Sequence, residues 1–136
     1  MELGLFSVSY AGLWGQAALD LRQVVRRAGE LGFDAVMLAG KRPHLSPLDF
    51  DVAAIAVLRD DLKTAGVRCP VVAAYVDLGG AVAAEVPFLE MQIGYVEGVC
   101  RIGAQLGAKF VRVFTAYETP GCSVESFGRV TGSNVT

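Results

Sequence analysis

Four short apolar segments alternate with three longer segments of helical periodicity, and this order constrains the fold of the chain more than any other feature. The apolar segments predict buried strands at residues 3–10, 33–38, 67–75 and 109–115. Parallel strands covered by helices are almost continuously apolar, and 53% of this chain is hydrophobic against 19% charged. A β-α-β-α-β-α-β order with short loops is typical of right-handed parallel crossovers, so the predicted fold class is α/β.

Capping signals mark the ends of the three predicted helices. Asp20, with Gln23 three residues later, fits a capping box at the start of the first helix. Asp51 is a suitable N-cap for the second helix, and Pro87 suits the first turn of the third. Each helix is followed by a glycine, the residue that favours a left-handed C-cap: Gly32, Gly66 and Gly107.

The helical periodicity also predicts which side of each later helix is buried. The buried side of the second helix is predicted to hold Val52, Ile55, Leu58, Leu62 and Ala65. The apolar stripe of the third comprises Phe88, Met91, Tyr95, Val99, Ile102 and Leu106, and Cys100 is also expected in the core. Gly94, Gly98 and Gly103 lie inside this helix, where each costs about 1 kcal/mol against alanine. We therefore expect a neighbouring backbone to approach closely there.

Composition and charge argue against several functional classes. A net charge of -2 and a single histidine do not suit a nucleic-acid surface, which needs clustered basic residues. The three cysteines form no CxxC pair, which indicates reduced thiols in the cytoplasm. No apolar run reaches the roughly 18 residues of a membrane span, and Glu2 stands where a signal peptide needs basic residues. We expect a cytoplasmic protein without membrane or nucleic-acid partners.

Two folds fit the order of elements, a doubly wound sheet and a barrel. The first strand-to-helix turn at residues 10–15 (YAGLWG) lacks the GxGxxG pattern of a dinucleotide fold. Gly40 and Lys41 lack the second glycine that a phosphate loop places five residues earlier. Both nucleotide-binding interpretations are therefore disfavoured.

Several segments resemble the xylose isomerase-like barrel family. They are residues 32–36 (GFDAV), 41–47 (KRPHLSP), 73–75 (AAY) and 106–114 (LGAKFVRVF). The family includes sugar-phosphate isomerases and epimerases, tagatose epimerase-like enzymes and inosose-type dehydratases. A complete barrel of eight β/α units has about 250 residues. The resemblance therefore implies parallel (β/α) units forming about half of a TIM barrel at residues 1–120, followed by an irregular, truncated tail at residues 121–136.

The same resemblance implies a metal-assisted proton or hydride transfer on a sugar or polyol. In the family a divalent metal is held by Glu, Asp, His and Glu on strands five to eight, so no metal ligand is assigned in this chain. Many relatives carry a Glu near the end of strand two, where this sequence has Met37, a residue that cannot move a proton. The chain by itself is expected to be an inactive fragment of such an enzyme.

Candidate site residues follow the four strands, because the active face of a parallel barrel lies at the carboxyl ends of its strands. His44 is the predicted catalytic residue, since an imidazole titrates near pH 6.5 and can act as acid or base. The predicted substrate-binding residues are Tyr10, Trp14, Lys41, Arg42, Tyr75, Arg112, Tyr117 and Glu118.

Each of these residues also has a structural interpretation. His44 can order the turn at Arg42 and Pro43, and Lys41 with Arg42 can form a solvated pair. Arg112 alternates with two phenylalanines in its strand, so it either binds substrate or forms a buried salt bridge. The aromatic residues can equally pack at the rim.

Two other functional classes stay open beside the isomerase. One is a non-catalytic half-barrel, in which two copies close the exposed edges of the first and fourth strands, since open edges promote aggregation. The other is an endonuclease IV-like DNA repair enzyme, which the acidic charge and the single histidine oppose.

Overall fold

The computed structural model describes residues 1–13, 17–78 and 85–114, which form a four-stranded parallel sheet with three helices. The strands are β1 (Gly4–Phe6), β2 (Ala35–Ala39), β3 (Arg68–Ala73) and β4 (Phe110–Arg112). The helices are α1 (Leu21–Glu30), α2 (Val52–Ala65) and α3 (Phe88–Leu106). Each strand pairs with the next one along the chain, in the order β1-β2-β3-β4. The alternating parallel order that the sequence predicts is confirmed.

The helices begin and end where the capping residues predict. The Asp20 carboxylate accepts the Gln23 backbone N–H at 2.8 Å, and the Gln23 side chain accepts the Asp20 N–H, which completes the capping box. Asp51 accepts the N–H of Ala54 at 2.8 Å at the start of α2. Gly66 and Gly107 adopt the left-handed conformation directly after α2 and α3. After α1 the left-handed residue is Gly32, one position beyond the cap residue Leu31.

One face of the sheet packs against the helices and forms the core. Val36, Leu38 and Val72 are completely buried there. The helices contribute buried apolar side chains to the same cluster, including Val25, Ala28, Ile55, Leu58, Leu62, Val99, Ile102 and Leu106. Since side chains alternate along a strand, every second strand residue lies on the opposite side.

The opposite side of the sheet, called here the open face, carries a row of side chains in register across all four strands. Phe6 pairs with Met37, Met37 with Val71, and Val71 with Phe110. The first three are partly exposed and Phe110 is 67% exposed. Arg112 lies on this side as well, two residues beyond Phe110. No helix in the described parts of the chain covers the row.

The first strand is shorter than predicted. Pairing ends at Phe6, and residues 7–10 form a 3₁₀ turn instead of continuing the strand to Tyr10. The cause is Ser7, which is fully buried and whose Oγ accepts the backbone N–H of Ala39 at 2.9 Å. A side chain thus takes the place of a strand carbonyl at the end of β2.

The prediction that Met91 and Cys100 belong to the core is wrong. Met91 is 59% exposed, because the N-terminal half of α3 does not lie against the sheet. Cys100 is in the C-terminal half but is exposed, because it lies off the buried side formed by Val99, Ile102 and Leu106. Val52 is 74% exposed, since it begins α2 at the outer end of the helix. The close approach of a backbone that was expected at the α3 glycines is not found. At Gly98 a Cβ would lie 3.0 Å from the side-chain Cβ of Pro47, and at Gly94 it would meet nothing within 4 Å.

None of the helices in the described ranges combines the length and the apolar character that crossing a membrane requires.

Candidate functional site

Side chains from all four strands meet at the carboxyl edge of the sheet. Phe6 and Arg112 are the last residues of β1 and β4, while Lys41 and Tyr75 each follow their strand, β2 or β3, by two residues. Phe114 comes two residues after β4. We call these five residues the cation–aromatic cluster.

Arg112 lies at the centre of this cluster. Its Cζ is 4.4 Å from the ring centroid of Phe114, 5.2 Å from that of Tyr75 and 5.3 Å from that of Phe6. These distances are within the range in which aromatic rings attract a cation. The Nε and Nη2 atoms are buried and have no hydrogen-bond partner among the residues that the structure describes. The side chain therefore keeps donors that its surroundings do not satisfy.

A second cation shares one of these rings. Lys41 Nζ lies 4.2 Å from the ring centroid of Tyr75, whose ring is itself 6.2 Å from that of Phe114. Among the ion pairs of the described residues, none includes Lys41 or Arg112. Two positive charges are thus held around one tyrosine, without a carboxylate from the described part of the chain.

Tyr95 of α3 fixes the two loops that carry Lys41 and Tyr75. Its hydroxyl donates to the carbonyl oxygen of Gly40 at 2.8 Å and accepts the backbone N–H of Tyr75 at 3.1 Å. One helix residue thereby links the loop after β2 to the loop after β3. The sequence analysis placed Tyr95 on the apolar stripe and did not predict these hydrogen bonds. Its hydroxyl could have indicated them, because a buried tyrosine hydroxyl needs a hydrogen-bond partner.

His44 is 2% exposed and both of its ring nitrogens are bonded. Nε2 is 3.2 Å from the carbonyl oxygen of Leu19, which can only accept, so Nε2 carries the proton. Nδ1 is 3.1 Å from Ser7 Oγ and accepts the hydroxyl proton. Burial lowers the pKa of His44, against smaller opposing effects of the Leu19 carbonyl and Asp20, which keeps the ring neutral at pH 7. The catalytic role of His44 stays a prediction.

The other predicted site residues lie apart from the cluster or outside the described residues. Arg42 is exposed and forms a two-point ion pair with Asp49, which lowers the pKa of that carboxyl. Tyr10 is half-buried at the end of the 3₁₀ turn, and after Glu30 its side chain is the next largest cause that raises the pKa of Arg27. Trp14, Tyr117 and Glu118 lie outside the described residues, so their roles also stay predictions.

The cluster does not fit a metal. Within residues 1–13, 17–78 and 85–114, no group of three or more His, Cys, Asp or Glu side chains lies close enough to hold an ion. The side chains that converge here are cationic or aromatic, and a cation repels a divalent metal. What this arrangement can do is stack on apolar faces and donate hydrogen bonds to oxygen.

Comparison with solved structures identifies the class of fold as a parallel β/α barrel of which this chain supplies about half. The probable 3-DHS dehydratase AsbF of Bacillus anthracis, involved in petrobactin synthesis, matches 98% of this chain with a TM-score of 0.67 at 16% identity. A D-psicose 3-epimerase, solved in the presence of D-fructose, matches 97% with a TM-score of 0.64 at 16% identity. In both cases the match covers 45% of the other protein.

A third solved structure matches this chain over a similar extent. A xylose isomerase domain protein from Planctomyces limnophilus matches 96% of this chain and 48% of its own length, with a TM-score of 0.57 at 14% identity. No protein-family model and no curated protein matches the sequence. The predicted fold class, parallel β/α units that form about half of a TIM barrel, is confirmed by these matches.

Proposed function

We propose that this chain supplies the substrate-binding half of the active site of a sugar or polyol isomerase or epimerase. The observation that carries the proposal is the cation–aromatic cluster, to which every strand contributes at the carboxyl edge of the sheet. That edge is where barrel enzymes hold their substrates. The likeness to a D-psicose 3-epimerase and to a xylose isomerase domain protein supports a sugar as the substrate class.

The residues of the cluster bind and orient in this proposal. The rings of Phe6, Tyr75 and Phe114 offer apolar surface to the C–H faces of a sugar. Lys41 Nζ and the two unpaired Arg112 nitrogens donate hydrogen bonds to substrate oxygens.

The proton transfer itself is assigned to no residue of the cluster. Met37, on the open face beside it, cannot carry a proton. The resemblance to the family implies that strands five to eight provide the metal ligands and the acid–base groups. A divalent metal bound there would polarise the substrate oxygens.

A second candidate function is a half-barrel that pairs with a further copy of itself. An apolar groove runs between α3 and the end of the sheet, lined by Val76, Leu78, Ile93, Val96, Cys100 and Val113. Ile93 and Val113 are 49% and 48% exposed, and such apolar surface favours burial by a partner. The same groove suits the next β/α unit of a longer polypeptide.

Thiol labelling tests the second candidate. Burial raises the pKa of the Cys69 thiol to about 12, so we expect Cys69 not to react, whereas the exposed Cys100 reacts readily. If two copies pair through the groove, the labelling of Cys100 slows as protein concentration rises, while an exposed cysteine introduced by Thr64→Cys on α2 keeps its rate. Labelling of Cys100 that is independent of concentration would reject this pairing.

The isomerase proposal is tested first by activity. The polypeptide that the natural source makes is captured through this sequence, its intact mass is measured, and it is assayed on ketoses and polyols with and without divalent metals. We expect a polypeptide heavier than the 14.4 kDa of this chain. It should convert at least one ketose into its isomer or epimer. A longer product without activity on any sugar or polyol would contradict the proposal.

Binding to the chain itself provides a second test. Backbone amide NMR with D-fructose and D-tagatose should show shifts at the ends of β1, β3 and β4, and Tyr75→Leu should abolish them. Leu48→Ala, at a position that is 83% exposed on a loop, serves as the matched control and should leave them unchanged. Shifts that survive Tyr75→Leu would place sugar binding elsewhere.

A further inference from the structure

We propose that Arg112 and Lys41 bind an anionic group of the substrate, a carboxylate or a phosphate, so that the preferred substrate is an acidic or phosphorylated sugar. This inference rests on the proposed function, because it names the substrate class of the same site. A neutral ketose can accept hydrogen bonds from these two side chains, but it leaves their positive charges uncompensated.

The first argument is the unmet hydrogen bonding of Arg112. A buried polar group normally has a partner, because leaving it without one costs free energy. Nε and Nη2 are adjacent donors on one edge of the guanidinium, and both are buried without an acceptor. An oxyanion with two oxygens matches such an edge with two parallel hydrogen bonds.

The second argument is the contrast between Arg112 and the paired arginines. Arg26 and Arg59 have no ion pair among the described residues either, but both are exposed to solvent. Arg22, Arg27, Arg42, Arg68 and Arg101 each form an ion pair with a carboxylate, and all five are exposed. Arg112 is the least exposed arginine of the described residues, yet it has no such pair. Its stabilising contacts are the three rings, which attract the charge without supplying an oxygen acceptor.

The third argument is the fixed position of the second cation. Lys41 follows Gly40, whose carbonyl is bonded to Tyr95, and the same hydroxyl holds the backbone of Tyr75. The ring under Lys41 Nζ is therefore tied to the loop that carries Lys41. Two cations are held at one ring, so their positive charges add at this edge of the sheet and favour the binding of an anion there.

The competing explanation for the unpaired donors of Arg112 is that a carboxylate of the protein binds them for structural reasons. The stability of Arg112→Met distinguishes this explanation from a substrate anion. An unpartnered cation among aromatic rings can be replaced by methionine, which packs well against rings. We therefore expect Arg112→Met to unfold at the same or a higher denaturant concentration than the parent chain. A large loss of stability would reveal a structural partner and overturn the inference.

The binding test uses inorganic phosphate, D-fructose, D-fructose 6-phosphate and D-gluconate as probes, followed by NMR of the backbone amides and the arginine Nε–H groups. Phosphate should shift the Arg112 Nε–H and the Tyr75 amide. Arg112→Met should weaken binding about tenfold or more, as expected for the loss of charged hydrogen bonds. Lys41→Met should weaken it less, and Arg59→Met on the exposed side of α2 should not change it.

The outcomes separate this inference from the proposed function. If D-fructose 6-phosphate and D-gluconate bind no better than D-fructose, and Arg112→Met has no effect, the anion site is wrong while sugar binding stands. If phosphate binds through Arg112 but neither sugar acid nor sugar phosphate improves on it, the anion site stands and the sugar function is wrong. The tighter of D-fructose 6-phosphate and D-gluconate identifies the anion as phosphate or carboxylate.

Discussion

The two faces of the sheet come from the same short strands but have different surroundings. On the helix side, Val36, Leu38 and Val72 are completely buried among the side chains of α1, α2 and α3. On the open face, Met37 and Arg112 are only partly buried. Met37 lies between Val36 and Leu38 in β2, and Arg112 lies in β4, next to the strand of Val72. The helix side is a fully buried core. The open face carries the residues that would line the interior of a complete barrel, and they are only partly buried in the described part of the chain.

This difference separates the residues that stabilise the fold from the residues that form the candidate site. The helix side provides the apolar burial that makes the four β/α units stable. The open face contributes less packing and carries the cation–aromatic cluster. Substitutions on the two faces should therefore have separable effects on stability and on binding.

The largest effect is expected from a pair of neighbouring substitutions in β2. Leu38→Ala should lower the free energy of unfolding by about 2–5 kcal/mol, because it leaves a cavity in the core. Met37→Ala, one residue earlier on the open face, should lower it by about 1 kcal/mol. Urea unfolding followed by circular dichroism measures both, and equal losses would show that the open face is packed as tightly as the core.

Tyr95→Phe tests the link between the helix side and the site. Removing the hydroxyl leaves the Gly40 carbonyl and the Tyr75 N–H without their partner, at a cost of about 1–3 kcal/mol. Hydrogen exchange of the Tyr75 amide should accelerate. Tyr10→Phe, at a half-buried tyrosine whose hydroxyl bonds neither of these loops, serves as the control and should cost clearly less. An unchanged Tyr75 exchange rate would mean that Tyr95 does not position the loop.

The pH dependence of stability tests the buried His44, the only histidine of the chain. Burial lowers the folded-state pKa of His44 below the ordinary value of 6.5, so the unfolded chain takes up a proton before the folded chain does. The stability that the neutral ring contributes is present above that value and falls as the pH drops through it. Thermal unfolding between pH 7.5 and 5 should show this fall, and His44→Gln should remove it. A stability that rises on acidification would contradict the neutral, buried ring.

The smallest effect is expected on the exposed half of α3. Met91→Gln should change the free energy of unfolding of the chain by no more than about 0.5 kcal/mol, since the side chain is 59% exposed. Val99→Ala, eight residues along the same helix, serves as the buried counterpart and should cost more. A loss for Met91→Gln as large as that for Val99→Ala would show that Met91 is packed after all.

The sequence predicted the parts of the fold that depend on local signals. Strand and helix order, the capping box at Asp20 and the left-handed Gly66 follow from residues a few positions apart. The exposure of Met91 could not be predicted, because periodicity identifies an apolar stripe but not whether another element covers it. Cys100 lies off that stripe, so its periodicity did not support a place in the core. β1 was predicted too long because the Ser7 hydroxyl takes a role normally played by a strand carbonyl.

The sequence predicted that the candidate residues lie at the strand ends, but it did not predict which side chains contact one another there. Lys41, Tyr75 and Arg112 were expected at the strand ends because parallel strands bring those ends together. The two hydrogen bonds of Tyr95 join residues 20 and 55 positions away, a separation that no local pattern reveals. The three rings around Arg112 depend likewise on the register of β1, β3 and β4.

The pairing order of the strands has a consequence for how the chain is made. Every strand finds its partner in the unit that was synthesised just before it, because β2 pairs with β1, β3 with β2 and β4 with β3. A chain that leaves the ribosome from its N-terminus can therefore add each β/α unit to a template already in place, without waiting for distant sequence. Growth by such steps limits each loop closure to neighbouring units of the chain, and it suits a barrel that is extended one unit at a time.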